Sequence, residues 1–193
     1  LQPDGDVAVI NGNYVYLRDA TTLGGKGYAG AFASCGAVAV QSTGNILVTS
    51  PAGYLYLRSG EPDGASWLGG FGFSDGWGAI TDAVTIGGDC FAIADSAGVV
   101  AIADSSAAHT GVSTTLPAAV NELAYRGGYL YASCAGGYLY KLDPSSLSTV
   151  AVSADALGVG DFAVSATGGV VGAGSASLYL LDPALATVLS LGL

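Results

Sequence analysis

Five segments of one pattern divide this sequence: Tyr14-Val15-Tyr16-Leu17-Arg18-Asp19, Tyr54-Leu55-Tyr56-Leu57-Arg58-Ser59, Val99-Val100-Ala101-Ile102-Ala103-Asp104, Tyr138-Leu139-Tyr140-Lys141-Leu142-Asp143 and Ser177-Leu178-Tyr179-Leu180-Leu181-Asp182. They start at positions 14, 54, 99, 138 and 177, so the steps are 40, 45, 39 and 39 residues. A period near forty built from short strands marks a propeller or a similar array. No long helical pattern interrupts it, because each apolar run is short and bounded by Gly, Pro or Asn.

The repeat around Tyr138 is the fullest. Glu122–Arg126, Tyr129–Cys134, Tyr138–Asp143 and Thr149–Ser153 read as four strands joined by three turns. In the first repeat, Asn11-Gly12-Asn13 predicts a tight hairpin turn, since Asn and Gly tolerate positive φ. Four antiparallel strands per unit, repeated radially, make a propeller blade, and closing the array into a ring hides its edges. The expected fold is therefore all-β: one domain, a single five-bladed β-propeller with blades at about 1–35, 36–79, 80–120, 121–160 and 161–193. The first repeat lacks an innermost strand, so about nineteen strands are counted where five complete blades need twenty. Three solutions fit: a three-stranded first blade, a crossover of Val188–Leu193 to complete it, or a chain trimmed from something longer.

In Leu139-Tyr140-Lys141-Leu142-Asp143-Pro144 and Leu178-Tyr179-Leu180-Leu181-Asp182-Pro183 the chain resembles the YVTN and quinoprotein-like propellers, in which such a segment ends the third strand of a blade. The resemblance implies fold only. Nothing matches a quinone-cofactor site or its metal ligands, and no cofactor is expected. Ser59–Trp67 also resembles a degenerate Asp-box hairpin of the sialidase-type propellers, matching at Gly64, Ser66 and Trp67 with Pro62 in the place of the defining Asp. In those families the box is a structural turn.

Charge narrows the partners. The net charge is −10, with only Arg18, Lys26, Arg58, Arg126 and Lys141 basic, so no basic stripe exists to neutralise phosphates; nucleic acid and anionic membranes are poor partners. The apolar runs fall well short of the ~20 residues that span a bilayer, so no membrane insertion is expected. Hydrophobic residues reach 51% and charged ones only 10%, which leaves an uncharged surface suited to packing in an assembly. Cys35, Cys90 and Cys134 lack a metal-ligand spacing and read as small buried hydrophobes. The chain starts at Leu1 and contains no Met, which fits removal of a leader or a larger precursor and, with it, secretion or surface display.

Two groups of residues are candidates for chemistry. Glu122 and Asp161 share a column at the entry to the innermost strands, with Asp82 one residue earlier; in a propeller these positions ring the channel mouth. Paired carboxylates there are the acid and base that a glycosidase needs. The glycine-rich stretch 60–79, read as a loop, gathers Trp67, Phe71, Phe73 and Trp77, whose faces suit stacking on sugars or filling a partner's pocket. The alternative is that these rings cap an open part of the blade. Asp19, Asp104, Asp143 and Asp182 share a column at strand ends, where Asx turns are expected. Tyr14, Tyr54 and Tyr138 are expected to pack between blades. His109, the only histidine, has no convergent ligands and is given no role.

The reading is a non-catalytic binding or assembly module of an extracellular structure, a cell surface or a virion, with a protein partner or self-assembly as its occupation. Glycan binding is the second reading, although Trp67 and Trp77 occur once rather than in every blade. Glycoside hydrolysis by Asp82, Glu122 and Asp161 is the third.

Overall fold

A computed structural model describes residues 7–19, 21–22, 24–31, 34–59, 67–72, 77–154, 156–174 and 176–192, with backbone only at 27–31, 70 and 71. The chain is a five-bladed β-propeller. Blade one is a three-stranded sheet of β1 (Val7–Asn11), β2 (Tyr14–Arg18) and β3 (Gly25–Ala31). Blade two holds β4 (Val38–Val40), β5 (Ile46–Thr49), β6 (Tyr54–Arg58) and β7 (Trp67–Gly72); blade three holds β8 (Ile80–Thr85), β9 (Phe91–Asp95), β10 (Val99–Ala103) and β11 (His109–Thr115). Blade four holds β12 (Val120–Arg126), β13 (Tyr129–Cys134), β14 (Leu139–Leu142) and β15 (Thr149–Val152); blade five holds β16 (Asp161–Val164), β17 (Val170–Ala173), β18 (Ser177–Leu181) and β19 (Thr187–Gly192). Every sheet is an antiparallel meander in sequence order.

The turns follow the residues. Gly12 sits at φ 59° between β1 and β2, and Gly53, Gly98 and Gly137 at φ 84°, 88° and 83° ahead of the third strands of blades two to four, a conformation in which a Cβ is strained. The aspartate column forms the Asx turns expected of it. Asp104 Oδ1 accepts the N–H groups of Ser106 at 2.8 Å and Ala108 at 3.0 Å, and Asp182 Oδ1 those of Ala184 at 2.8 Å and Ala186 at 3.0 Å.

Two expectations are corrected. Part of the glycine-rich stretch is a strand, β7, paired along β6 from Tyr54↔Gly72 to Arg58↔Trp67. Its glycines have low β-propensity, but a Cβ on Gly69 would lie 2.8 Å from the carbonyl oxygen of Ser106, so close approach to blade three selects glycine there. Of the solutions open for the first blade, the crossover is not taken: β19 pairs with β18 as the fourth strand of blade five, and blade one keeps three strands. Nor do Tyr14, Tyr54 and Tyr138 fill the space between blades: Tyr14 and Tyr54 lie exposed at the starts of their strands and Tyr138 just before β14, and Tyr54 covers Gly72 of its own blade.

The core consists of four layers, one between each pair of successive blades. Val15, Leu17, Ile46 and Val48 fill the first layer; Leu47, Leu55, Phe91 and Ile93 the second; Val100, Ala132, Leu130 and Leu142 the third; Tyr131, Leu139, Phe162 and Leu181 the fourth. The layers are built from repeating columns. Val15, Leu55, Val100 and Leu139 occupy one position of the third strand and are at most 1% exposed, each covered by the following blade.

Polar contacts cross the same layers. Gln41 Nε2 donates to the carbonyls of Asp89 at 2.9 Å and Ser105 at 2.8 Å, Thr85 Oγ1 donates to Val40 O at 2.7 Å, and Lys141 Nζ donates to Pro183 O at 3.0 Å.

Candidate functional site

The three carboxylates lie in one row. Asp82 pairs with Ala94, Glu122 with Ser133 and Asp161 with Ala173, equivalent positions on the second strands of blades three, four and five. Asp82 is thus not out of column. It precedes Ala94 by 12 residues, as Asp161 precedes Ala173, whereas Glu122 precedes Ser133 by 11, because the first hairpin of blade four is one residue shorter.

This row holds blades together. Asp82 Oδ2 accepts the N–H of Leu123 at 2.7 Å and its Oδ1 the N–H of Ala83 at 2.8 Å; Glu122 Oε2 accepts the N–H of Phe162 at 3.0 Å. Leu123 and Phe162 are buried residues of the following blade's innermost strand, so each carboxylate reaches forward to satisfy a backbone donor there. Burial pushes the Asp82 carboxyl above its ordinary value while the Leu123 and Ala83 amides pull it back. Glu122 is raised by burial first, lowered by the Phe162 amide, and raised again by the neighbouring charges of Asp161 and Asp82. Asp161, on the last blade, is exposed. The cleft of about 260 Å³ among Ala8, Val38, Val40 and Thr85 is lined by none of the three carboxylates.

The aromatic residues separate into two places. Trp67 is exposed on β7, edge-on to Tyr56 at 5.8 Å with the Arg58 guanidinium 5.4 Å from its ring centre. Trp77 is half-buried and meets His109 of β11 edge-on at 6.3 Å. Phe71 lies on β7 with its backbone alone described. Phe73 and the Asp-box-like residues 60–66 lie outside the described residues. Among the described residues no cluster of three or more His, Cys, Asp or Glu forms a metal site, and no helix is long and apolar enough to cross a membrane.

A third surface was not singled out from the sequence. On the outward face of blade five, Val171, Leu178, Leu180, Leu189 and Leu191 are 51, 38, 40, 48 and 53% exposed. Cross-strand pairing of Val171 with Leu180, Leu180 with Leu189 and Leu178 with Leu191 puts all five on one face. Leu178 belongs to the column of Val15, Leu55, Val100 and Leu139, and Leu180 to that of Leu17, Leu57, Ile102 and Lys141, which are buried in every other blade. The matching entry face of blade one is open as well. Val9 is 40% exposed, whereas its equivalents Val48, Ile93 and Ala132 are 0% exposed. The seam between the fifth and first blades is uncovered at these residues, in contrast to the closed ring expected from the repeat. The signal was present in the alternation Leu178-Tyr179-Leu180, but alternation alone does not say whether a neighbour covers it.

Comparison with known proteins bears on the fold. The propeller superposes on a chain of the crystal structure of the mitotic checkpoint complex with a TM-score of 0.83 and 13% sequence identity, over 99% of this chain and 61% of that one. The two share a fold. At that identity the likeness speaks of architecture alone, and since 1335 chains of solved structures match, architecture does not select a function. No family model matches the chain and no curated protein matches it.

Proposed function

We propose that this chain is a non-catalytic β-propeller module that binds or assembles with other proteins, as a component of an extracellular structure, a cell surface or a virion. The observation that carries this reading is the outward face of blade five, where five apolar side chains are exposed, two of them, Leu178 and Leu180, in columns that the other blades bury. An exposed contiguous apolar face on an otherwise close-packed protein marks an interaction surface. The carboxylate row argues in the same direction, since Asp82 and Glu122 hold amides of the next blade. The solved chain that shares the fold belongs to the mitotic checkpoint complex.

A photo-crosslinking amino acid placed at position 180 tests this reading. Illumination in the expressing extract is expected to yield covalent adducts with protein. An absence of protein adducts overturns the reading.

Glycan binding is the second reading, favoured by the exposed Trp67 indole beside Tyr56 and Arg58. A glycan array separates the two, with binding lost on Trp67→Ala expected for a lectin and a flat array for an assembly module. Hydrolysis of chromogenic glycosides, abolished by Glu122→Gln, would replace both with an enzyme.

A further inference from the structure

We infer that the outward face of blade five receives the entry face of blade one from a second copy of this chain, head to tail. The inference rests on the proposed function and names its partner. Three interfaces inside the molecule show what such a face packs against: the third-strand columns of one blade cover the second-strand column of the next. Val15 and Leu17 pack with Val48, Leu55 and Leu57 with Ile93, and Val100 and Ile102 with Ala132. Leu178 and Leu180 continue the first set of columns, and Val9 stands in the second. Both halves of a fifth interface of the same design are present on one molecule, and both are uncovered.

Asp161 adds a polar element. It occupies the position from which Asp82 and Glu122 each accept an amide of the following blade, and it stands at the edge of the uncovered face. Two different patches that complement each other make a heterologous contact, which propagates from copy to copy unless the rotation closes. Apolar burial drives it, against the repulsion between copies that each carry a net charge of −10.

Sedimentation velocity over a concentration series tests the inference on the full chain and two variants. One variant, Leu178→Asp with Leu180→Asp, loses the outward face; the other, Val9→Asp, loses the entry face. All three substituted side chains are exposed, so circular dichroism is expected to match the unaltered chain. The unaltered chain is expected to form species that grow with concentration, and each variant alone to sediment as a monomer of 18.9 kDa. An equimolar mixture of the variants is expected to give a species of twice that mass and nothing larger. A monomeric unaltered chain at every concentration overturns the inference, as does dimerisation of the Val9→Asp variant alone, which would mean symmetric pairing of blade-five faces. Adducts at position 180 with a different protein would likewise overturn the second-copy partner while leaving the interaction module standing; no adducts at all would remove both.

Discussion

Glu122 on the innermost strand of blade four accepts the backbone N–H of Phe162, forty residues later on the innermost strand of blade five, at 3.0 Å. Asp82 makes the same contact to Leu123 one blade earlier, at 2.7 Å. A side chain whose column points to acid–base chemistry thus holds a backbone donor of the next blade, and this has a pH signature.

The Asp82 carboxyl is raised by burial, so the folded state holds its proton to higher pH than the unfolded chain does. Its contribution to stability is present below the ordinary Asp value and is lost as pH rises through the raised one. Asp82→Asn keeps an acceptor oxygen for Leu123 and removes the charge. Thermal unfolding of the two proteins at pH 4 and pH 7 is expected to show the variant gaining on the parent as pH rises. A constant difference would mean that Asp82 does not titrate across this range. Asp104 and Asp143 act in the opposite sense: hydrogen bonds from Ser106 and Ser145 hold them below the ordinary value, so their contribution is lost as pH falls.

Lys141 interrupts an otherwise apolar column of Leu17, Leu57, Ile102 and Leu180. Its ammonium donates to Pro183 O at 3.0 Å and lies 4.1 Å from the centre of the Tyr129 ring. Lys141→Ala is expected to cost about 2 kcal/mol, from a charged hydrogen bond and lost packing. Lys141→Leu, the residue of the column, is expected to fall within about 1 kcal/mol of the parent, as buried charges often exchange for apolar groups at little loss. Urea denaturation measures both; equal losses would place the stabilisation in the charge alone.

Asp95 is fully buried and closes two segments at once. Its Oδ1 accepts the N–H groups of Ala97 at 2.9 Å and Val99 at 2.7 Å, and its Oδ2 that of Gly78 at 2.6 Å. Asp95→Ala strips three backbone donors of their partner, each worth about 1–3 kcal/mol when left buried. The melting temperature is expected to fall by at least ~5 °C, at roughly 2–4 °C per kcal/mol for a domain of this size. A smaller shift would mean that water reaches these amides.

The three cysteines are free thiols, and Cys134 is buried, with burial pushing its thiol up to about 11. Thiolate is the reactive form, so Cys134 is expected to resist a thiol reagent at pH 8 and to react only on unfolding. Mass spectrometry after brief labelling checks this, with modification expected first at the half-buried Cys35 and Cys90. Rapid native labelling of Cys134 would show that the layer between blades three and four opens.

Much of this fold was legible because four of the five blades declare this strand twice, by an apolar alternation and by the aspartate turn that ends it. The turn glycines were legible for the same reason, since positive φ leaves few other residues available. β7 was not, because Gly69 and Gly72 are chosen for approach to Ser106 and Tyr54 and carry no strand propensity. The common column of Asp82, Glu122 and Asp161 was blurred by one-residue differences between the turns of the three blades. Asp95 stands outside the repeated aspartate column, and its contact with Gly78 has no sequence signature. The uncovered seam lay beyond sequence reasoning altogether, since Leu178 and Leu139 are the same residue in the same motif and differ only in what stands next to them.

Layered packing of this kind also decides how the molecule comes apart. Each blade is buttressed by its immediate neighbours, so loss of order begins where a neighbour is missing and advances inward like a stack of plates thinning from its ends. Amide exchange should therefore be slowest at Ile93 and Ala132, whose blades are flanked on both sides, and fastest at Leu178 and Val9.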